Sequence, residues 1–340
     1  MRASSDVLSA PLTVNWTLSY RCNFGCRHCY SRDRTEDQLP LEDVSRIVTL
    51  LADLGVVFIN FGGGEPLVYP HLHHVAALAS ERGLNVSMNS NGYLLDGNET
   101  VRLAESGFTS VGISIDSPVA SDHDQLRNMT GSFDRAVAAL DNLARTGIKS
   151  TISCVINRLN LENWEGMVEL CRSHGVSTLY LHNYKCTGDA LTNMDDLDLT
   201  PMQWRDFYVN ALEVQKKVSD VHLSFDDPIM AALEDHRPES AVPGSTCGKL
   251  SLHIKHNGDI TPCGFIPLSI GNILRDDFNS IWFESPVLMK MREKTPQGKC
   301  DGCSCYQSCL GGCTARVWAL TGSFDSPDPH CWVADDGEGE

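Results

Sequence analysis

The sequence predicts an α/β protein: a partial (β/α)6 barrel with a parallel sheet, followed by a small cysteine-rich segment built around metal. Three observations carry this prediction. Five segments repeat the order amphipathic helix, glycine, apolar β-rich run, and a further strand, 13–18, precedes the first helix. Eight of the fourteen cysteines fall in residues 247–331, where hydrophobic periodicity is weak. Strands alternating with helices over 12–185 imply parallel β-α units. Six strands are fewer than the eight that close a barrel.

The first helix shows the period well, with Val44, Ile47, Val48, Leu51 and Leu54 on one stripe. Residues 132–146 repeat it with Phe133, Val137, Leu140 and Leu143. Gly55, Gly83, Gly107, Gly147 and Gly175 stand where helices end, as left-handed caps that tolerate positive φ. The runs behind them, 56–61, 84–88, 109–115, 148–156 and 176–181, read as strands two to six. In such architectures chemistry gathers at the carboxyl ends of the strands. Thr200-Pro201 opens a long helix over 201–219. The barrel is thus expected over 12–220. Residues 221–246, acidic and proline-punctuated, read as a connector, 247–335 as the metal-built domain and 336–340 as an acidic tail.

Composition removes several function classes. Forty-four acidic against 27 basic residues give a net charge of −17, which repels a phosphate backbone, so no nucleic-acid partner is expected. No apolar run approaches the roughly 18 residues of a membrane span. The first residues hold no apolar signal core, so a cytoplasmic location is expected. Fourteen cysteines in a reducing compartment point to metal or redox chemistry.

Cys22, Cys26 and Cys29 stand at C-x3-C-x2-C directly after the first strand. Three thiolates on one loop can hold three irons of a 4Fe–4S cubane and leave the fourth iron open. Zinc is the alternative, but it wants a fourth ligand at finger spacing, and His28 adjoins Cys29 too closely to serve easily. Gly62-Gly63-Gly64-Glu65-Pro66 follows the second strand. With these two segments the chain resembles the radical S-adenosylmethionine (SAM) superfamily. The resemblance implies that Gly63, Gly64 and Glu65 meet the methionyl amino group of SAM, glycines allowing close approach and a carboxylate matching an ammonium. It puts His28 near the adenine, Ser114 and Asp116 near the ribose or substrate, and Arg127 near the SAM carboxylate. Asn128 stands where the family usually has glycine. Asn89 and Asn157, after strands three and five, are further polar contacts or ordinary turn residues.

The C-terminal pattern is Cys247, Gly258-x4-Cys263, Cys300-x2-Cys303-x5-Cys309-x3-Cys313 and Cys331. It resembles the seven-cysteine SPASM extension, which holds two auxiliary 4Fe–4S clusters, three clusters in all with the first. By that resemblance Cys247, Cys263 and Cys313 bind the nearer auxiliary cluster, and Cys300, Cys303, Cys309 and Cys331 the farther. Seven cysteines leave one ligand missing, and Cys305 is the nearest spare thiol. The other reading of this segment is a pair of structural zinc sites.

Cys154 and Cys171, within a strand and a helix, read as packing. His71, His73 and His74 read as a solvated helix start. Cys186 follows strand six on the reactive face, so it is expected to touch substrate or to return a hydrogen atom to a substrate radical, as some related enzymes do.

The chemistry implied is reductive cleavage of SAM to methionine and a 5′-deoxyadenosyl radical, which abstracts hydrogen from a C–H bond. The leading expectation is oxidative modification of a ribosomal peptide or small natural-product precursor by cross-linking, dehydrogenation or decarboxylation. The electron would come from a flavodoxin or ferredoxin. Only about a dozen residues precede strand one, so a leader-peptide-binding partner would be a separate protein. Tetrapyrrole side-chain decarboxylation in haem biosynthesis and modification of an aminocyclitol or aminoglycoside are alternatives. From another class, a non-catalytic iron–sulfur or zinc scaffold competes.

Overall fold

The computed structural model describes residues 7–31, 38–233 and 242–333; the expected acidic tail lies outside them. The chain runs β1 (Thr13–Ser19), α1 (Leu41–Asp53), β2 (Phe58–Gly63), α2 (Leu72–Glu81), β3 (Asn85–Ser90), α3 (Gly97–Glu105) and β4 (Phe108–Ser114). Next come α4 (Ala120–Arg127), α5 (Ser132–Leu143), β5 (Lys149–Val155), α6 (Gly166–Ser173) and β6 (Thr178–His182). After two short turns, α7 (Asp189–Thr192) and α8 (Met194–Leu197), the long helix α9 (Pro201–Lys217) leads to β7 (His222–Phe225). The C-terminal part adds β8 (Ser251–Ile254), β9 (Asp259–Thr261), β10 (Gly271–Asn272), α10 (Pro286–Arg292), α11 (Tyr306–Cys309) and α12 (Thr314–Thr321).

All ten strands form one sheet in the order β10-β9-β8-β1-β2-β3-β4-β5-β6-β7. Neighbours from β1 to β7 are parallel. One face is apolar and packs on the helices: Val14, Ile59, Phe61, Val86, Met88, Val111, Ile113, Ile152, Leu179 and Leu181 are buried. Alternate positions on the same strands are polar, namely Asn15, Asn60, Asn89, Ser114, Ser153 and His182, and they line a cavity. Period-two alternation therefore decides which face is core and which is site.

The helices follow their stripes. Val44, Ile47, Val48 and Leu51 of α1 are buried, and α5 buries Ala136, Ala139, Leu140 and Leu143, with Phe133 and Val137 only partly covered. Helix α9 opens with a reciprocal Thr200–Gln203 capping box and Pro201 in its first turn. Four of the five helix-end glycines have positive φ, at +81° (Gly55), +84° (Gly83), +84° (Gly107) and +66° (Gly175). Gly147 does not. The Thr146 hydroxyl makes that turn, donating to Leu143 O and accepting from Ile148 N–H.

Other expectations are revised. Residues 222–225, in the stretch that reads as a connector, form β7 and extend the parallel sheet beyond β6. At the other edge β8 pairs parallel with β1, Thr13 opposite Ser251 and Trp16 opposite Ile254. His73 is not merely solvated: it is half-buried, bonded to Ser106 Oγ at 2.9 Å and Glu99 Oε1 at 2.7 Å, and ties α2 to α3. Cys154 and Cys171 are buried, as packing residues should be.

Candidate active site

The cysteine loop after β1 is held by backbone contacts from three directions. Arg27 N–H donates to Leu126 O at 2.9 Å, Asp189 N–H donates to Cys29 O at 2.8 Å, and Asn193 Nδ2 donates to Arg27 O at 3.0 Å. Gly188 has φ +61°, and a Cβ on it would come within 2.8 Å of the Cys29 carbonyl. From the β2 side, Gly64 N–H donates to Ser19 O at 3.0 Å and Glu65 N–H to Arg21 O at 2.9 Å. A Cβ at Gly64 would overlap the Arg21 carbonyl, and Gly63, at φ +101°, lies against Thr17. Glycine is therefore required here for approach to the cysteine loop itself.

Cys22 is exposed, while Cys26 and Cys29 are half-buried. Although the Cys22 residue as a whole is exposed, partial desolvation of its sulfur pushes the thiol up to about 11, and Glu65, Cys26 and Cys29 add to the rise. Burial also raises Cys26, opposed by Arg127, whose Nη1 lies 4.0 Å from Cys26 Sγ. Thiols that resist ionisation alone are thiols that a cation would relieve.

The cavity over this loop has a volume of about 430 Å³, in the range of roughly 300–1,000 Å³ usual for small-molecule sites. Its wall includes Cys22, Cys26, Cys29, His28, Gly63, Gly64, Glu65, Asn89, Ser114 and Arg127, all singled out in the sequence. The Glu65 carboxylate is buried and accepts from Ser90 Oγ (2.8 Å), Asn91 N–H (2.8 Å) and Leu67 N–H (3.2 Å). His28 is enclosed with Nδ1 unpartnered, and burial lowers its pKa to about 4, so the ring is neutral at pH 7.

Asp116 is not on the wall. It is fully buried and accepts from Arg127 Nε at 2.6 Å and Val155 N–H at 3.0 Å. Burial alone would raise its pKa, but Arg127, His28 and His123 outweigh it and hold the carboxyl at about 2. Asp116 thus places Arg127 from behind the cavity wall. Asn157 is likewise buried, its amide donating to Val155 O, and is off the wall. Asn128 adopts φ 51°, ψ 44°, the left-handed conformation that asparagine tolerates, so the turn is kept without glycine.

Cys186 also departs from expectation. It is fully buried, absent from the cavity wall, and donates to Asp198 Oδ2 at 3.3 Å. Asp198 further accepts from His330 Nε2 (2.7 Å), Leu199 N–H (2.8 Å) and Trp204 Nε1 (3.3 Å). Burial raises the Cys186 pKa, and Asp198 adds to that rise. The chain turns inward after Tyr184, so this thiol closes a core hydrogen-bond hub. The far end of the cavity is lined instead by His182, Lys185 and Asp226, which sequence reasoning missed. Asp226 lies 3.5 Å from His182 Nδ1 and 3.8 Å from Lys185 Nζ.

The remaining thiols gather in two groups. Cys247 and Cys263 share a hydrogen bond and interact with Cys313, whose Sγ accepts from Lys185 Nζ at 3.5 Å. Cys247 and Cys263 border both the main cavity and a second one of about 380 Å³ lined also by Cys313. Cys300, Cys303, Cys309 and Cys331 surround a small separate void of about 20 Å³. Cys305 borders that void as well and does not line the space around Cys247, Cys263 and Cys313. Three thiols around the second cavity, two of them shared with the main one, and four around a small void fit, respectively, an open and a closed iron–sulfur site.

A sulfur-rich donor set at the strand ends, opening on a ligand-sized cavity walled by glycines and Glu65, defines an iron–sulfur site built to hold a second molecule. Residues 16–171 match the radical SAM superfamily, and residues 246–306 match the SPASM iron–sulfur cluster-binding domain. The mycofactocin maturase MftC of Mycobacterium tuberculosis is 31% identical over 331 residues, spanning 95% of this chain and 83% of that protein. The AdoMet-dependent heme synthase of Oleidesulfovibrio alaskensis is 25% identical over 351 residues, 97% of this chain and 89% of that one. Among solved structures, Streptococcus suis SuiB bound to its precursor peptide SuiA superposes with a TM-score of 0.79 at 20% identity, covering 96% of this chain and 77% of SuiB. The chain belongs to the radical SAM superfamily, in the branch that carries a SPASM domain.

Proposed function

We propose that this enzyme oxidatively modifies a ribosomally made peptide. The observation that carries the reading is the 31% identity to a mycofactocin maturase along 95% of the chain. When bound, the clusters and SAM supply reductive C5′–S cleavage, a 5′-deoxyadenosyl radical that takes a substrate hydrogen atom, and an acceptor for the electron left behind.

The chain's own residues do the rest. Cys22, Cys26 and Cys29 hold the SAM-binding cluster, and Gly63, Gly64 and Glu65 receive the methionyl ammonium. Arg127, fixed by Asp116, receives the carboxylate, a charge-assisted pairing. His28, neutral, lies against the adenine, and Ser114 faces the ribose. The peptide side chain enters between this group and the wall of His182, Lys185 and Asp226. Cys247 and Cys263 border that same cavity and Cys313 the adjoining one, so the residues that would hold the nearer auxiliary cluster stand beside the proposed peptide site. Cys300, Cys303, Cys309 and Cys331 hold the farther one, making three 4Fe–4S clusters. A flavodoxin or ferredoxin supplies the electron, and a separate leader-binding protein presents the peptide.

A second reading, tetrapyrrole side-chain decarboxylation, draws on the 25% identity to a heme synthase over 97% of the chain. One anaerobic experiment tests the first step common to both. Reconstituted protein is incubated with SAM and dithionite, with Cys26→Ala as control. The wild-type chain is expected to form 5′-deoxyadenosine well above the control; equal amounts would leave a non-catalytic scaffold. Adding a candidate precursor peptide or an iron–coproporphyrin then separates the readings by which one gains or loses mass.

A further inference from the structure

Lys294 lies just beyond α10 and reaches between the two auxiliary thiol groups. Its Nζ is fully enclosed and, among the described residues, has no hydrogen-bond partner. On one side it acts on the charge of Cys313, on the other on Cys309 and Cys300. Lys294 Nζ and Cys300 Sγ both lie against Gly311, between Cys309 and Cys313 in sequence: a Cβ there would stand 3.6 Å from the first and 3.9 Å from the second. The carboxylates that act on Lys294 are Asp328 and Asp325, and they are paired with Arg316 and Lys290. An enclosed ammonium has three N–H donors and no acceptor of its own, and leaving such a group unpaired is costly.

We propose that Lys294 is a redox-tuning residue shared by both auxiliary sites: its ammonium donates to cluster sulfurs on either side and raises the reduction potential of both clusters. Hydrogen bonds to sulfur and nearby positive charge stabilise the reduced, more negative form of such a cluster. The other lysines at these sites are already committed. Lys185 donates to Cys313 at the near site, Lys249, which acts on Cys247, donates to the Pro243 carbonyl at 2.8 Å, and Lys299 donates to the Cys331 carbonyl at 2.6 Å. Among these four, Lys294 has no hydrogen-bond partner within the described residues and acts on thiols of both groups. In function it would let the two clusters share an electron taken from substrate instead of trapping it on one.

The inference rests on the reading that both auxiliary sites hold clusters, and the two can fail separately. Iron and acid-labile sulfide in the anaerobically reconstituted full chain, carrying Cys26→Ala to silence the first cluster, report on that reading alone. Potentiometric titration followed by EPR then compares Lys294→Met and Lys294→Arg in the same background. Lys294→Met is expected to shift both auxiliary midpoints to more negative potential at unchanged iron content, and Lys294→Arg to bring them back toward the parent. Unchanged midpoints in filled protein, or a shift in one cluster only, would overturn the proposal. Should Lys294→Met lose iron, Lys294→Gln, which keeps an N–H donor without the charge, is titrated instead under the same criteria.

Discussion

At the scale of single residues, the proposed function gives Arg127 the SAM carboxylate, and Asp116 determines where Arg127 stands. The pair is buried, 2.6 Å apart, with Arg127 also within 4.0 Å of the Cys26 thiol. One guanidinium thus faces both the cavity and the cysteine loop, while its carboxylate partner stands off the cavity wall. Asp116→Asn removes the charge and keeps the shape. A hydrogen bond between charged groups is worth about 1.5–3 kcal/mol, so SAM affinity measured by equilibrium dialysis is expected to fall about tenfold or more. Breaking a buried pair also leaves Arg127 uncompensated, a destabilisation of roughly 3–5 kcal/mol that urea unfolding reads. Wild-type affinity in this variant would remove Asp116 from the positioning role.

At the scale of elements, the two kinds of glycine in this chain separate conformation from contact. Gly55 caps α1 at φ +81° with no atom within 4 Å of an added Cβ, so Gly55→Ala is expected to cost only about 1–2 kcal/mol of backbone strain. Gly64→Ala has no positive φ to strain, yet its Cβ would overlap the Arg21 carbonyl and lever β2 away from the cysteine loop. It is expected to retain the far-ultraviolet circular dichroism of the barrel and to lose SAM cleavage; the reverse pattern would refute the packing argument. The same distinction explains what was legible in the sequence. Strands and helices of the barrel declare themselves through local periods, and the cysteine and GGGEP loops through composition, because each signal lies within a few residues. The pairing of β8 with β1, Thr13 with Ser251, has no local signal, and β7 is only four residues long, directly before an Asp-Asp-Pro turn that reads as linker. Cys186 misled for a related reason. Its place after β6 was correct, but only the three-dimensional turn carries Lys185 to the cavity and Cys186 to Asp198.

At the scale of the whole molecule, the sheet runs continuously from the SPASM segment into the barrel, so the seam between them bears on stability. His253 on β8 spans that seam, with Nε2 2.9 Å from Thr17 Oγ1 on β1 and Nδ1 3.0 Å from Thr261 Oγ1 on β9. His123 accepts from Asp116 N–H at 3.1 Å through Nδ1, which requires an unprotonated ring. Burial lowers the pKa of His253, His123 and His28 alike, from 6.5 to about 4. In the unfolded chain each binds its proton as pH falls through about 6.5, whereas in the folded chain it does so only near 4. Over that interval the unfolded state holds more protons, so stability rises with pH up to about 6.5 and levels off above it. The cluster-free chain is therefore expected to show an unfolding midpoint that is flat near pH 7, below the range in which the free thiols titrate, and declines steadily from 6.5 towards 4. His253→Gln, which can still hydrogen-bond both threonines but cannot titrate, is expected to make that decline shallower. A midpoint that stays constant from pH 7 to 4.5 would mean that these rings are solvated, and the seam would have to be held by something other than neutral histidine.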